Sequence, residues 1–395
     1  MRIGIDIRPL QAETRFRGIG KTLEFFLLSI PESTTDVFVL YADRESDIPE
    51  QAAKFPGVSL RYVPAFPFGR KRYLRSFLPS YRHPRPDPRD IDVFLQFDAT
   101  LGIPTSVPTV TIFYDVIPLL FRDQERKATI SLLRRPKDRL AGFLYWQKYL
   151  RVLRSYKKST HIVSISQSSK DDLLSHVPGI LPDQVSVVPL GVDVSFSKKV
   201  EKTSKRVQAL TSQPYLLYVG GIDTRKNIVE LLRTFYTLKP KFTDLRLVVV
   251  GKEFLLKDQL GDRGWYKFLR LNQTYARDVV VGGFVAHDEL LYLYQHASCF
   301  VFPSLYEGFG LPILEAMSAG CPVVAYRTSS ISEVAGNACT LVEPSDNLSD
   351  GVGNLLSNTR QQRASIKAGK AQAARFSWDR TVAGVLGVAH TYAKK

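Results

Sequence analysis

Thirteen short apolar runs, most of them separated by stretches with helical spacing, constrain this chain more than any other feature of its sequence. The first half holds Ile3–Ile7, Val37–Tyr41, Ser59–Val63, Val93–Phe97, Thr109–Phe113, His161–Ile165 and Val185–Val188, with helical patterns at 18–29, 128–155 and 168–175. The second half holds Tyr215–Val219, Leu245–Val250, Val279–Val281, Cys299–Phe302, Val323–Ala325 and Thr340–Val342, with helical patterns at 228–238, 288–296, 312–318, 347–357 and 360–374. Such alternation predicts α/β architecture with largely parallel sheets. Leu245–Val250 is almost continuously apolar, as a strand covered on both faces should be. At 395 residues the chain has room for two such units. The expected break follows Pro189-Leu190-Gly191-Val192-Asp193, because the polar stretch from Ser195 to Ser212 carries no clear core pattern.

Charge narrows the partners. The chain carries 54 Lys and Arg against 38 acidic residues, a net charge of +16. Residues 1–195 contribute +7 and residues 196–395 contribute +9, so no basic tail is responsible. An anionic partner is expected: nucleic acid, an acidic membrane face or a phosphate-bearing substrate. No RNP, helix-turn-helix or zinc signature is present, which argues against nucleic acid. Cys299, Cys321 and Cys339 lack C-x-x-C spacing and read as three small buried thiols in a reducing compartment. Asp6 interrupts the apolar run that a signal peptide would need, and no stretch approaches 18 apolar residues. The expected location is therefore cytoplasmic, including the inner face of a membrane.

Two stretches carry the chemistry. Glu307-Gly308-Phe309-Gly310-Leu311-Pro312-Ile313-Leu314-Glu315 follows the Cys299–Phe302 strand through Pro303-Ser304. Its glycines leave the backbone open, and Pro312 suits a helix start. The loop then presents amide N–H groups and a positive dipole end to an anion such as a diphosphate. Glu307 and Glu315 can both border one crevice and accept from sugar hydroxyls. Alternatively, Glu315 complements the helix dipole and Glu307 is a turn residue. Gly220-Gly221-Ile222-Asp223-Thr224-Arg225-Lys226-Asn227 also joins a strand to a helix. Its two adjacent cations can neutralise charge on a leaving diphosphate, or form a solvated pair before the helix.

Together these stretches resemble the nucleotide-sugar-binding half of the GT-B glycosyltransferases, specifically glycosyltransferase family 4. Glu307 and Glu315, with seven residues between, match the family's glutamate pair, and Arg225-Lys226 its phosphate-binding pair. Val187–Asp193 is similar to its interdomain stretch, Gly283-Phe284-Val285 to its base-binding loop, and Phe376-Ser377-Trp378 to the start of its last helix. The resemblance implies a GT-B fold: two Rossmann-like domains facing across a cleft, residues 1–195 for the acceptor and 196–375 for the nucleotide sugar. A helix over 376–395 would return to the first domain.

It also implies retaining, metal-independent transfer of a hexose or deoxyhexose from a nucleoside-diphosphate sugar, used as co-substrate with no further cofactor. Glu315 would hold the ribose hydroxyls. Glu307 would contact the donor sugar beside the amides of Phe309, Gly310 and Leu311, with Gly308, Gly221, Ser304 and Val285 also lining the donor. Arg225 and Lys226 would stabilise the departing diphosphate. In the first domain, Gly18-Ile19-Gly20 resembles the family's glycine loop near phosphate and acceptor. As a dinucleotide fingerprint it fails, since Leu23 stands where a third glycine belongs. Phe113-Tyr114-Asp115 resembles a stretch that usually reads His-Asp; Tyr114 replaces the His, and Asp115 is kept.

Gly18-Ile19-Gly20 and Asp115-Val116-Ile117-Pro118-Leu119 look like those of bacterial polysaccharide and O-antigen mannosyl- or rhamnosyltransferases, which implies GDP-mannose or a GDP-deoxyhexose as the favoured donor. The acceptor would be a growing, lipid-linked cell-surface glycan such as lipopolysaccharide. A UDP- or dTDP-sugar transferase, or an inactive GT-B accessory protein, is the alternative. Asp90-Ile91-Asp92 reads D-x-D but leads straight into a strand, so ordinary turn acids are expected, and no metal site is foreseen. From Arg61 to Asp90, seven further basic residues, from Arg70 to Arg89, interleave with Phe66, Phe68, Tyr73, Phe77 and Tyr81. This proline-rich segment reads as a solvated face, an acceptor wall or a peripheral membrane contact.

Overall fold

The computed structural model describes residues 1–11, 18–43, 59–63, 90–104, 106–121, 136–255 and 264–394. Most of the Arg61–Asp90 segment, and the 128–135 part of the expected second helix, lie outside them. The described chain separates into two compact units, Met1–Gly191 with Trp378–Lys395, and Val192–Ser377. Against an expected first break at 195/196, Val192 already belongs to the second unit, where its N–H donates to the Phe376 carbonyl.

Seven strands form the first unit's sheet: β1 (Arg2–Asp6), β2 (Val37–Ala42), β3 (Ser59–Tyr62), β4 (Val93–Gln96), β5 (Thr109–Phe113), β6 (His161–Ser164) and β7 (Val185–Val187). Their order is β3-β2-β1-β4-β5-β6-β7, and every pairing is parallel. β4, β5 and β6 are buried at every residue, which requires helices on both faces. One cover is the last helix, Trp378–Tyr392, which buries Trp378, Val382, Val385, Leu386 and Ala389. Trp378 stacks on Phe25, with ring centroids 5.3 Å apart, and the Thr381 hydroxyl donates to the Pro189 carbonyl at 2.8 Å.

Six strands form the second sheet: β8 (Tyr215–Val219), β9 (Arg246–Val250), β10 (Val279–Gly283), β11 (Cys299–Phe302), β12 (Val323–Tyr326) and β13 (Thr340–Val342). Their order is β10-β9-β8-β11-β12-β13, again wholly parallel. The helix Ile228–Leu238 buries Ile228, Leu231, Leu232, Phe235 and Leu238, the i, i+3, i+4, i+7 stripe of a sheet-covering helix. That stripe meets Leu216, Tyr218, Leu247 and Val249 in one core.

In each sheet the chain winds outward in both directions from a central pair, β1 and β4 in the first and β8 and β11 in the second. The C-terminal ends of such a pair diverge into loops on opposite faces and leave a crevice where ligands bind. The two chemistry-bearing stretches of the second unit leave the ends of β8 and β11. Among the described residues, no helix is long and apolar enough to cross a membrane.

Candidate active site

After β8 the chain runs through Gly220 and Gly221 into a turn over Thr224–Lys226, and Asn227, at φ +53°, redirects it into the helix Ile228–Leu238. After β11 it runs through Ser304 and Glu307 to Gly310, whose φ of +114° suits glycine and starts the helix Leu311–Ala319. Pro312 is the second residue of that helix. The Leu305 N–H donates to the Arg225 carbonyl at 2.8 Å, so the two loops are tied through their backbones.

Three of the expected side chains converge. Glu307 accepts from Arg225 Nη1 at 2.9 Å through one carboxylate oxygen and from Lys226 Nζ at 2.7 Å through the other. The group is nearly dry, with side-chain exposures of 18% for Arg225 and 10% each for Lys226 and Glu307. Burial by itself pushes the Glu307 carboxyl up, but Lys226 and Arg225 outweigh it and hold the carboxyl below the usual range. The Ser304 hydroxyl lies near enough to lower it further, although its geometry falls short of a hydrogen bond. Lys226 also sits 5.1 Å from the centre of the Phe302 ring, a cation–π contact.

Glu315 lies on the second turn of the helix Leu311–Ala319 and accepts from the Tyr294 hydroxyl at 3.2 Å. Burial, then the neighbouring Glu315 charge, raises the Tyr294 phenol well above its ordinary value, so it stays a donor. Phe309 is buried, its ring edge-on to Phe376 at 6.0 Å, and contributes backbone rather than side chain to the loop. The first turn of the helix that follows leaves amide N–H groups without intrahelical partners. The carbonyl of Gly221 accepts from the Tyr218 hydroxyl at 2.7 Å, and the Ile222 N–H donates to Glu253 at 3.0 Å. Val285 is buried just after β10, beside an exposed Phe284. Arg206 grips that turn, donating to the Phe284 carbonyl at 2.9 Å.

The remaining expected residues belong to the first unit. Gly18, Ile19 and Gly20 form the first turn of the helix Gly18–Leu28. Tyr114 and Asp115 follow β5. Asp115 accepts from the Ile117 N–H at 2.9 Å, and Tyr114, raised by burial and close to Thr22, contacts that same helix. The Asp92 carboxylate accepts from the Arg2 N–H at 2.7 Å, and the Asp90 carboxylate lies 3.6 Å from the Arg61 guanidinium. Among the described residues, no cluster of three His, Cys, Asp or Glu side chains could hold a metal ion. Cys299 and Cys321 are buried, but Cys339 is only half-buried, a correction to the expected trio; burial still pushes its thiol up to about 12.

Several participants escape a reading of sequence alone: Tyr294, Tyr218 and Glu253, and a run of hydroxyls, Thr328-Ser329-Ser330, directly after β12. The last had one signal: it leaves the same edge of the sheet as the glutamate loop.

The profile for glycosyl transferases group 1 matches residues 199–372, almost the whole of the second unit. O-antigen chain mannosyltransferase B of Escherichia coli is 38% identical over 181 residues, covering 43% of this chain and 44% of that protein. The serotype-specific mannosyltransferase WbdA, also of E. coli, is 27% identical over 96% of this chain and 47% of its own length. The chain thus spans about half the length of the curated relatives it matches. Anabaena HepE, solved with UDP-glucose, superposes with a TM-score of 0.65 at 13% identity, covering 99% of this chain and all of that one. WaaG, a glycosyltransferase involved in lipopolysaccharide biosynthesis, does so with a TM-score of 0.61 at 17% identity, covering 98% and 99%. The fold is GT-B. Within the matched residues, the Arg225–Lys226–Glu307 cluster lies at the divergence of β8 and β11.

Proposed function

We propose that this protein is a retaining glycosyltransferase that moves mannose, or a related deoxyhexose, from a GDP-sugar to a growing, lipid-linked cell-surface glycan. The carrying observation is the convergence of Arg225, Lys226 and Glu307 beside the start of the helix Leu311–Ala319. Arg225 and Lys226 stand together at that helix's positive end, Arg225 also facing the exposed Asp223 at 3.7 Å. A diphosphate is the ligand such a place is built for.

Transfer breaks the bond between the anomeric carbon and the diphosphate oxygen, and forms one to an acceptor oxygen on the same face of the sugar. The leaving diphosphate takes the bonding electrons and, lying on the same face, the proton of the acceptor hydroxyl, while Arg225 and Lys226 stabilise its charge as it grows. The amides of Phe309, Gly310 and Leu311 hold the donor, with Gly308, Gly221 and Ser304 around it. Glu307, fixed by both cations, presents its carboxylate to the sugar. Glu315, oriented by Tyr294, accepts from the ribose hydroxyls, and Val285 packs on the base. In the first unit we assign the acceptor to Gly18, Ile19, Gly20, Tyr114 and Asp115. No residue is needed as a metal ligand. The mannosyl assignment and the glycan acceptor rest on the two E. coli relatives.

Thermal melting with GDP, UDP or dTDP, each with and without EDTA, tests the reading. A nucleotide at 100 times its Kd adds about 2.7 kcal/mol. GDP is expected to raise the melting temperature, indifferently to EDTA. A shift with UDP or dTDP alone would overturn the donor, sensitivity to EDTA would overturn metal independence, and no shift at all would overturn the enzyme. A lipid-linked acceptor also places the protein on the inner face of the membrane. Anionic liposomes that fail to retain it at low salt would refute that location.

A further inference from the structure

Thr328, Ser329 and Ser330, between β12 and the helix Ile331–Ala335, bind four backbone atoms of the glutamate loop. The Thr328 hydroxyl donates to the Ser304 carbonyl at 2.9 Å. The Ser330 hydroxyl, fully buried, lies 2.8 Å from the carbonyl oxygens of both Glu307 and Phe309. Between them, Ser329 Oγ accepts from the N–H of Glu307 itself at 2.8 Å. Ser329 does this from an unfavourable conformation, with φ at +39°, where a Cβ crowds the backbone and glycine would be more comfortable. Asp90 and Asn227, the other described non-glycine residues at positive φ, are of the types that tolerate it. Serine is not among those enriched there. Its presence is accounted for by its hydroxyl.

We propose that Ser329 is a positioning residue for Glu307, kept at the cost of backbone strain so that its hydroxyl sets the orientation of that carboxylate between Arg225 and Lys226. The Glu307 amide is the one backbone donor that fixes where its side chain leaves the loop. Sub-ångström placement at a reacting centre matters, since a misplacement of about 1 Å can cost 10²-fold in rate. This proposal rests on the reading of the protein as a sugar-nucleotide transferase, but its physical content does not need turnover to be measured.

Ser329→Gly removes the hydroxyl and the strain together, and Ser329→Thr keeps the hydroxyl while a β-branched side chain increases the strain. A positioning role predicts a crossing of stability and activity. Ser329→Gly should melt at the same temperature as the parent or higher. Its Glu307 amide should exchange hydrogen faster, and kcat with GDP-mannose should fall about 10- to 100-fold with KM little changed. Ser329→Thr should melt lower yet recover most of kcat and the slow exchange. A merely structural role predicts that activity follows melting temperature in both variants, and that result overturns the proposal. Unaltered exchange of the Glu307 amide in Ser329→Gly overturns it as well. If the parent turns over no sugar nucleotide, the functional reading fails, while exchange and melting still decide what Ser329 does.

Discussion

At Glu307 one carboxylate answers two cations in a nearly dry setting, and both stability and turnover should depend on it. Glu307→Gln preserves shape but takes away the carboxylate shared by Arg225 and Lys226, 18% and 10% exposed, and leaves Arg225 only the exposed Asp223 at 3.7 Å. Breaking such a buried arrangement from one side costs about 3 kcal/mol, to be read by urea denaturation at pH 7. The pH dependence has a definite sign. The folded carboxyl titrates below its ordinary 4.5, so its stabilisation is complete above that value and is lost as pH falls through the lower folded value. Parent and variant should therefore converge in stability as pH falls below the ordinary carboxylate range and through the lowered folded value. Equal stability at pH 7 would mean that the cations do not need the carboxylate. Arg225→Ala should leave the fold intact and lower kcat about 10²- to 10³-fold, the usual loss for one charge-stabilising contact. Steady-state kinetics with GDP-mannose checks this.

The elements around the site are held by close backbone approach, and Gly251 is where it is closest. A Cβ there would stand 2.2 Å from the Gly220 carbonyl oxygen. Neither strand end can yield, because Gly220 N–H donates to Val250 and Gly251 N–H to Gly283. Gly251→Ala should cost about 1–3 kcal/mol through overpacking and displace the Gly220–Lys226 turn, so GDP should stabilise the variant less than the parent. Gly387, exposed on the last helix with nothing within 4 Å of a Cβ, is the control. Alanine there should add about 0.5–1 kcal/mol.

This contrast marks what was legible beforehand. Tyr215–Val219 and Leu247–Val250 stand where their apolar runs place them, because strands buried on both faces advertise themselves. The helix Lys205–Leu210 was hidden in a polar stretch, since only Val207 and Leu210 are buried and a Ser204 cap does the rest. The Arg225, Lys226 and Glu307 residue types were readable from loop chemistry. Their contact was not, nor was the support from Tyr294 and Ser329, because bonds that span 21 to 82 residues arise only when strands assemble side by side.

For the whole molecule, the sharpest consequence concerns the last helix, whose residues come after the second unit in the chain but pack in the first. Trp378, Val382, Val385 and Leu386 are buried there, with Ala389 between strands and helix. At about 1.5–3 kcal/mol for each large side chain, the four contribute roughly 6–12 kcal/mol. That is comparable to the net stability of a domain. Further ties are the Lys394 N–H to the Asp92 carbonyl, His390 to Asp36, and Tyr392 stacked on His161. Ending the chain at Ser377 keeps the Val192–Phe376 backbone bond of the second unit. Calorimetry of that truncated chain should show the first unit's transition lost or moved far down in temperature. The second unit should still melt near its original temperature and still be stabilised by GDP. Loss of both transitions together would mean that the two units fold as one cooperative body. An unchanged first transition would mean that the helix covers the sheet without holding it.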